Sequence, residues 1–200
     1  MEMITVLLRD IFKFFFIITP FFVLSMFLSM TNGWEEPKKR KLALRVTSAV
    51  WVASLALLFF GPWIFQIFGI TVDAFRIGGG ALLFLSAVAL VNQTPQNNKN
   101  LPEQSDIAVV PLAIPVTVGP ATTAVLFVVG AENHTLGAWL LTACALSIAI
   151  AALGCLLVSA TRLERLLGHR GLSILSKLTG LILSALAAQM IFTGVKAFLK

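Results

Sequence analysis

Six apolar windows divide the chain, at residues 11–31, 46–68, 77–91, 107–131, 136–160 and 178–195. Most approach the roughly 20 residues that an α-helix needs to cross the hydrocarbon core of a bilayer. Water is absent from that core, so each window must satisfy its own backbone N–H and C=O groups, and helix is the way a single segment does so. Turn-forming stretches separate the windows: "TNGWEEPKKRK", "FGITVD", "NQTPQNNKNLPEQSD", "GAENHTLG" and "HRGLS". Composition agrees, with 58% hydrophobic and 12% charged residues, against about 45–50% and about 25% in soluble domains. The sequence therefore predicts an all-α membrane protein of six transmembrane helices. At 200 residues it is a single membrane domain with no room for a folded soluble one. The uncharged stretch 14–34 is long for the apolar region of a signal peptide, and no A-x-A site follows it, so it reads as a retained first span.

The net charge of +6 is distributed by loop. Connections one, three and five carry Lys38, Lys39, Arg40, Lys41, Arg45, Lys99, Arg162, Arg165, Arg170 and Lys177. The other side carries Arg9, Lys13, Arg76, Lys196 and Lys200. The positive-inside rule then places the odd connections in the cytoplasm and both termini outside, as in a multi-pass protein of a bacterial inner membrane. This distribution accounts for the basic balance without a nucleic-acid partner. The two cysteines, Cys144 and Cys155, share the fifth window. On one helix they stand roughly 16 Å apart, beyond the reach of a disulfide, and they read as small core residues.

Two windows contain a helix breaker, Thr19-Pro20 in the first and Gly119-Pro120 in the fourth, one hundred positions apart. A second match holds nearly the same offset: "RIGGGALLFLSAVAL" begins at Arg76 and "KLTGLILSALAAQMI" at Lys177, pairing Gly79 with Gly180. The pattern predicts a duplicated three-helix unit. Its first copy covers residues 1–92, a cytoplasmic linker 93–106, and its second copy 107–200. Three spans per copy insert the copies in opposite directions, which is the 3+3 inverted repeat of many secondary transporters.

Threonine is a good N-cap, and proline is favoured at the first helical position. Thr19-Pro20 and Gly119-Pro120 thus read as helix starts written inside spans, each making a broken helix around an unwound joint, with Pro115 helping to end what precedes the second. Lipid cannot satisfy the freed backbone, so the joints must face protein, water or ligand. Opposed half-helix N-termini suit an anion such as a carboxylate. The candidate substrate-binding residues are Thr19, Pro20, Phe21, Phe22 and Ser25 in the first joint. In the second they are Thr117, Gly119, Pro120, Ala121, Thr122 and Thr123. Ser25, Ser29 and Asn32 make an i, i+4, i+7 stripe beyond the first break. The alternative is that both breaks serve only packing, in a scaffold or regulatory partner that transports nothing.

No Asp or Glu lies deep in a window, Asp10 standing only near the start of the first, and His134 and His169 fall in connections. Carboxylate-based proton coupling is therefore not expected, while sodium coupling, facilitated diffusion and no transport stay open. The chain has no nucleophile–base pair and no metal-ligand cluster, so an enzyme is not expected, nor a metal or other cofactor. "GGG" at 78–80 lacks the Gly-Lys-Ser/Thr of a phosphate loop and reads as a site of close helix packing. Arg76 and Lys177 read as openers of equivalent helices, with Asp73 placed to pair with Arg76. The expected partners are the lipid bilayer and a small-molecule substrate.

"DIAVVPLAIPVTVGPATTAVLF", "FGITVDAFRIGGGALLF" and "LSKLTGLILSALAAQMIFTG" together resemble the MarC family of six-span bacterial inner-membrane proteins. The resemblance runs over essentially the whole chain. It implies a six-helix inner-membrane protein grouped with small-solute transporters, with a neutral amino acid as the implied class of solute. The chain departs from the family's common pattern at two places: Thr19-Pro20 stands where Asn-Pro is usual, and Gly119-Pro120-Ala121 where Gly-Pro-Gly is usual.

Overall fold

The computed structural model describes residues 2–92, 112–113, 117–132 and 135–199. The expected linker 93–106 lies outside the described residues, as does most of the fourth window before Thr117, Pro115 included. The regular elements among the described residues are seven helices: α1 (Glu2–Ile17), α2 (Pro20–Met30), α3 (Glu36–Phe68), α4 (Val72–Asn92), α5 (Pro120–Glu132), α6 (Leu136–Val158) and α7 (Ala160–Phe198). Five stretches among them are long and apolar enough to cross a membrane: Ile4–Met30, which joins α1 and α2, and then α3, α4, α6 and α7. The sixth, α5, is a shorter apolar helix.

Local chemistry accounts for the ends. Pro37 sits in the first turn of α3, where a missing N–H is no loss. Gly69, at φ 62, ends α3, and its N–H and that of Ile70 both reach the Phe65 carbonyl, the Ile70 bond at 3.2 Å. That closing pattern needs the left-handed conformation glycine permits. Two residues on, the Thr71 hydroxyl accepts the Ala74 N–H at 3.2 Å and starts α4. Thr135 starts α6 in the same way, accepting from Ala138 N–H at 3.3 Å.

Three boundaries differ from the sequence expectation. The first helix begins at Glu2, so Arg9, Asp10 and Lys13 lie on helix, with Arg9 against Asp10 at 3.4 Å. α4 begins at Val72, which puts Arg76 a turn inside it. The fifth connection, expected as a loop over 161–177, is helical and belongs to α7. The chain bends there through Gly168 alone, at φ 63 and ψ 173. Polar residues in "TRLERLLGHRGLS" marked the end of the apolar window, and the kink at Gly168 falls among them, but the residues on either side are helical. Lys177 consequently lies within α7 instead of opening a helix.

The large interfaces join helices distant in sequence. α3 packs on α5 and α6, α1 on α6, α2 on α7, and α4 on α5 and α7. One pair of these interfaces is reciprocal, α4 meeting α5 as α7 meets α2. Glycine lets the backbones approach. A Cβ on Gly130 would stand 2.2 Å from the Leu58 carbonyl oxygen, and one on Gly61 2.7 Å from Phe127 Cα. At the α4–α7 crossing, a Cβ on Gly80 would meet Ala187 O at 3.1 Å and Ile191 Cγ1 at 2.7 Å. A Cβ on Gly180 would meet Ala87 O at 2.9 Å and Val91 Cγ2 at 2.8 Å. Adding one hundred to 80, 87 and 91 turns these contacts into one another. Gly79 also packs closely, on Ala124, whereas Gly78 has nothing within 4 Å, so the "GGG" expectation holds at two of its three positions.

The largest apolar cluster gathers Phe14, Phe27, Val50, Leu146 and Leu153 from α1, α2, α3 and α6. Large apolar side chains also cover the outside, among them Trp63 (61% exposed), Ile67 (75%) and Phe192 (72%). In a chain built for lipid such a surface is the solvated one. Cys144 and Cys155 are free and exposed on α6, not in the core. α6 is apolar on every face, so its sequence carries no stripe that separates protein-facing from lipid-facing positions.

Candidate functional site

α1 stops at Ile17 and α2 starts at Pro20. Ile18 N–H still reaches Phe14 O at 3.1 Å, and Thr19 N–H reaches Phe16 O at 3.0 Å. Thr19 then turns into the left-handed region, φ 49 and ψ 57, the one non-glycine to do so among the described residues. Its carbonyl accepts Val23 N–H at 3.0 Å and so begins α2. Pro20 has no N–H, which leaves the Phe21 and Phe22 amides as the first-turn donors without a backbone acceptor among the described residues.

The expected side-chain N-cap is not formed: the Thr19 hydroxyl makes no capping bond. An N-cap residue holds extended backbone so that its side-chain oxygen can turn back to the second or third amide. With φ at 49 that geometry is lost, and the half-buried hydroxyl has no partner among the described residues. A β-branched residue here costs about 1–2 kcal/mol. Thr19→Gly should therefore raise thermal stability by about 1 kcal/mol, read as the unfolding midpoint of the detergent-purified protein. An unchanged or lower midpoint would mean that Thr19 is not strained.

The described backbone just before α5 is also irregular. Val118 N–H bonds Ala113 O at 2.9 Å and the Thr117 hydroxyl bonds Leu112 O at 2.7 Å, each spanning five residues instead of four. α5 then begins at Pro120, with Thr123 N–H on Gly119 O at 2.9 Å. The Thr122 hydroxyl lies 3.2 Å from Thr117 O and 3.4 Å from Ile17 O. Ile17 is the last residue of α1, two positions before Thr19. The second break thus reaches the first through one hydroxyl, whose single proton serves one carbonyl at a time. Ile17 and Ala121 share an apolar cluster with Leu83, Ala87, Leu183 and Ala187, the heart of the α4–α7 crossing.

Thr117, Ala121, Thr122 and Pro20 are buried around this meeting point. Thr19, Phe21, Phe22, Ser25, Gly119 and Thr123 are half-buried, and Pro120 is exposed. Ser29 and Asn32 lie farther along and are exposed.

Arg76 pairs with Asp73 on its own helix, as the spacing suggested, and also with Glu132 at the end of α5, Nε to Oε1 at 3.1 Å. Sequence reasoning missed Glu132, which stands in the turn "GAENHTLG", 56 residues from Arg76. The end of α7 seats at the same place, where a Cβ on Gly194 would stand 2.7 Å from Asp73 O. Among the described residues no three His, Cys, Asp or Glu side chains converge as a metal site.

Apolar helices of spanning length and a lipid-facing apolar surface define a multi-pass α-helical integral membrane protein. The chain belongs to the MarC family: residues 4–199 match the family described as MarC family integral membrane protein. A UPF0056 membrane protein of Methanocaldococcus jannaschii is 32% identical, with 92% of this chain and 93% of that protein covered. The UPF0056 membrane protein YhcE of Escherichia coli is also 32% identical, covering 92% of this chain and 91% of its own length. YvbG of Bacillus subtilis is 28% identical, with 86% and 85% covered. The relatives therefore include an archaeal protein beside the bacterial ones. No solved structure matches the chain.

Proposed function

We propose that the chain is a secondary transporter or exporter of a small solute, built as a 3+3 inverted repeat with its site where the two breaks meet. The observation that carries this reading is the Thr122 hydroxyl within 3.4 Å of Ile17 O, which brings the second break to the first at the centre of the fold. The reciprocal contacts of Gly80 and Gly180 support the repeat, because a two-fold interface makes residue i meet j and j meet i. They pair Gly80 with Gly180, one position from the sequence alignment.

In this reading Ile4–Met30 is one span broken at Thr19, and α5 is the second half of its counterpart. The amides of Phe21 and Phe22, with those of Ala121 and Thr122, offer partial positive charge to a carboxylate. The Thr19 and Thr122 hydroxyls would orient the rest of the solute. A neutral amino acid is the class to test first. No cofactor or catalytic step is required. The basic connections put the starts of α3 and α7 in the cytoplasm and both termini outside, in the inner membrane of a bacterium. Alternating access would rock the halves at the α4–α7 crossing. The Arg76–Glu132 pair ties α4 to α5 across the halves and would have to part as the outer end opens.

The test is a thermal-shift panel on the purified protein, with amino acids and other small metabolites, with and without sodium. A true ligand at 100 times its Kd should add about 2.7 kcal/mol. The shift should vanish in Thr122→Val and survive in Thr122→Ser. The second reading, a scaffold without a solute, is favoured by one feature: the Thr117 and Thr122 hydroxyls already have carbonyl partners inside the protein. A ligand shift that is untouched by Thr122→Val would move the site elsewhere. A panel without any shift, with Thr122→Val merely less stable, would support the scaffold.

A further inference from the structure

The starts of α3 and α7 are both basic and lie at one end of the helix bundle. α3 and α6 run antiparallel: Thr47 packs on Gly154, Trp51 Nε1 donates to Ser147 Oγ at 3.0 Å, and the Phe59 ring lies 5.9 Å from that of Trp139. Moving toward the start of α3 therefore moves toward the end of α6 at Val158. Leu42, Leu157 and Ala160 close this end within one core cluster. One turn farther out on α3 lie Lys38, Lys39, Arg40 and Lys41, at the same end of the bundle as the first turns of α7, which carry Arg162 and Arg165. Of these six cations, five are exposed and Lys39 is half-buried. The acidic groups on the two segments are Glu35, Glu36 and Glu164, and Glu164 lies 3.3 Å from His169 Nε2.

Helix length places this end in the membrane. α6, with 23 residues, is about 35 Å long and α3, with 33, about 50 Å, against a hydrocarbon core of about 30 Å. α6 thus spans the core, and the part of α3 beyond its end stands at headgroup depth. The eight residues of α7 before the bend at Gly168 start at the same level. They expose Leu166 (81%) and Leu167 beside Arg165. A soluble polyanion would satisfy the cations and leave these leucines in water. An anionic phospholipid satisfies both, with phosphate on the cations and acyl chain on Leu166 and Leu167.

We propose that the starts of α3 and α7 together form a binding surface for anionic phospholipid. The surface stands independently of the solute site. The experiment adds phosphatidylglycerol or phosphatidylcholine to the full-length detergent-purified chain and reads the thermal midpoint and native-mass-spectrometry lipid adducts. Phosphatidylglycerol should stabilise saturably and more than phosphatidylcholine, and salt should weaken the effect. Each cation removed should weaken apparent affinity by about fivefold. The quadruple variant K38Q/K39Q/R40Q/K41Q and, on the other helix, R162Q/R165Q should both lose the preference, while K196Q at the far end of α7 keeps it. Equal shifts with the two lipids would overturn the proposal. So would an equal shift from soluble glycerophosphate, or a preference that survives in R162Q/R165Q.

Discussion

Adding one methyl group at Gly130 should destabilise the protein by about 3 kcal/mol, the upper end of the usual overpacking range. The new Cβ would stand 2.2 Å from Leu58 O and 3.2 Å from Leu58 C. Both are backbone atoms of α3, so no side chain can swing aside, and relief requires the helices to separate. Helix propensity predicts the opposite sign, since alanine is better than glycine by about 1 kcal/mol in a helix. Gly137→Ala separates the two effects. It lies in the first turn of α6 with nothing within 4 Å of its Cβ, and should be neutral or slightly stabilising. The comparison is made on thermal midpoints in one detergent. If Gly130→Ala tracks Gly137→Ala, the close approach of α3 and α5 is wrong. Gly61→Ala, aimed at the Phe127 backbone from the opposite helix, should fall in the same direction.

The second large effect concerns a pair. Gly80→Ala and Gly180→Ala should each cost about 1–3 kcal/mol, and the two costs should be similar. The reason is that each methyl meets the equivalent carbonyl, Ala187 O or Ala87 O, and the equivalent branched side chain, Ile191 or Val91. The double variant should cost less than the sum, because the first methyl already parts the helices that the second would push. Costs that differ by more than about 1 kcal/mol would remove the physical support for a two-fold relation between the halves. Gly78→Ala, on the open side of α4, serves as the control.

Much of the site was legible as positions and little of it as geometry. Thr19-Pro20 and Gly119-Pro120 mark helix starts because proline removes an N–H and blocks the preceding turn, which are properties of the residue itself. The manner of the break was not legible. Thr19 was expected to cap α2 with its hydroxyl, yet it passes into the left-handed region and leaves that hydroxyl without a partner among the described residues. The contact from Thr122 to Ile17 O spans 105 positions and involves a carbonyl, a group that every residue carries and no sequence pattern marks. Glu132 escaped notice for a similar reason: it belongs to Arg76 only once α5 has docked on α4.

The sequence by itself determined that the chain is a membrane protein of apolar helices, roughly where each span ends, and that α2 and α5 start at Pro20 and Pro120. Those features follow from run length, charge and proline, all of which act locally. The tertiary structure alone decided which face of each helix meets protein and which meets lipid. It placed Cys144 and Cys155 on the surface, and it made helix of residues expected as a loop, on both sides of a kink at Gly168. In water, the contrast between an apolar and a polar face reports on burial. In lipid both faces are apolar, so that report is erased. What selects the packing instead is how closely two backbones can approach, at Gly61 and Gly130 or at Gly80 and Gly180, and that is a property of helix pairs, visible only when both partners are in place.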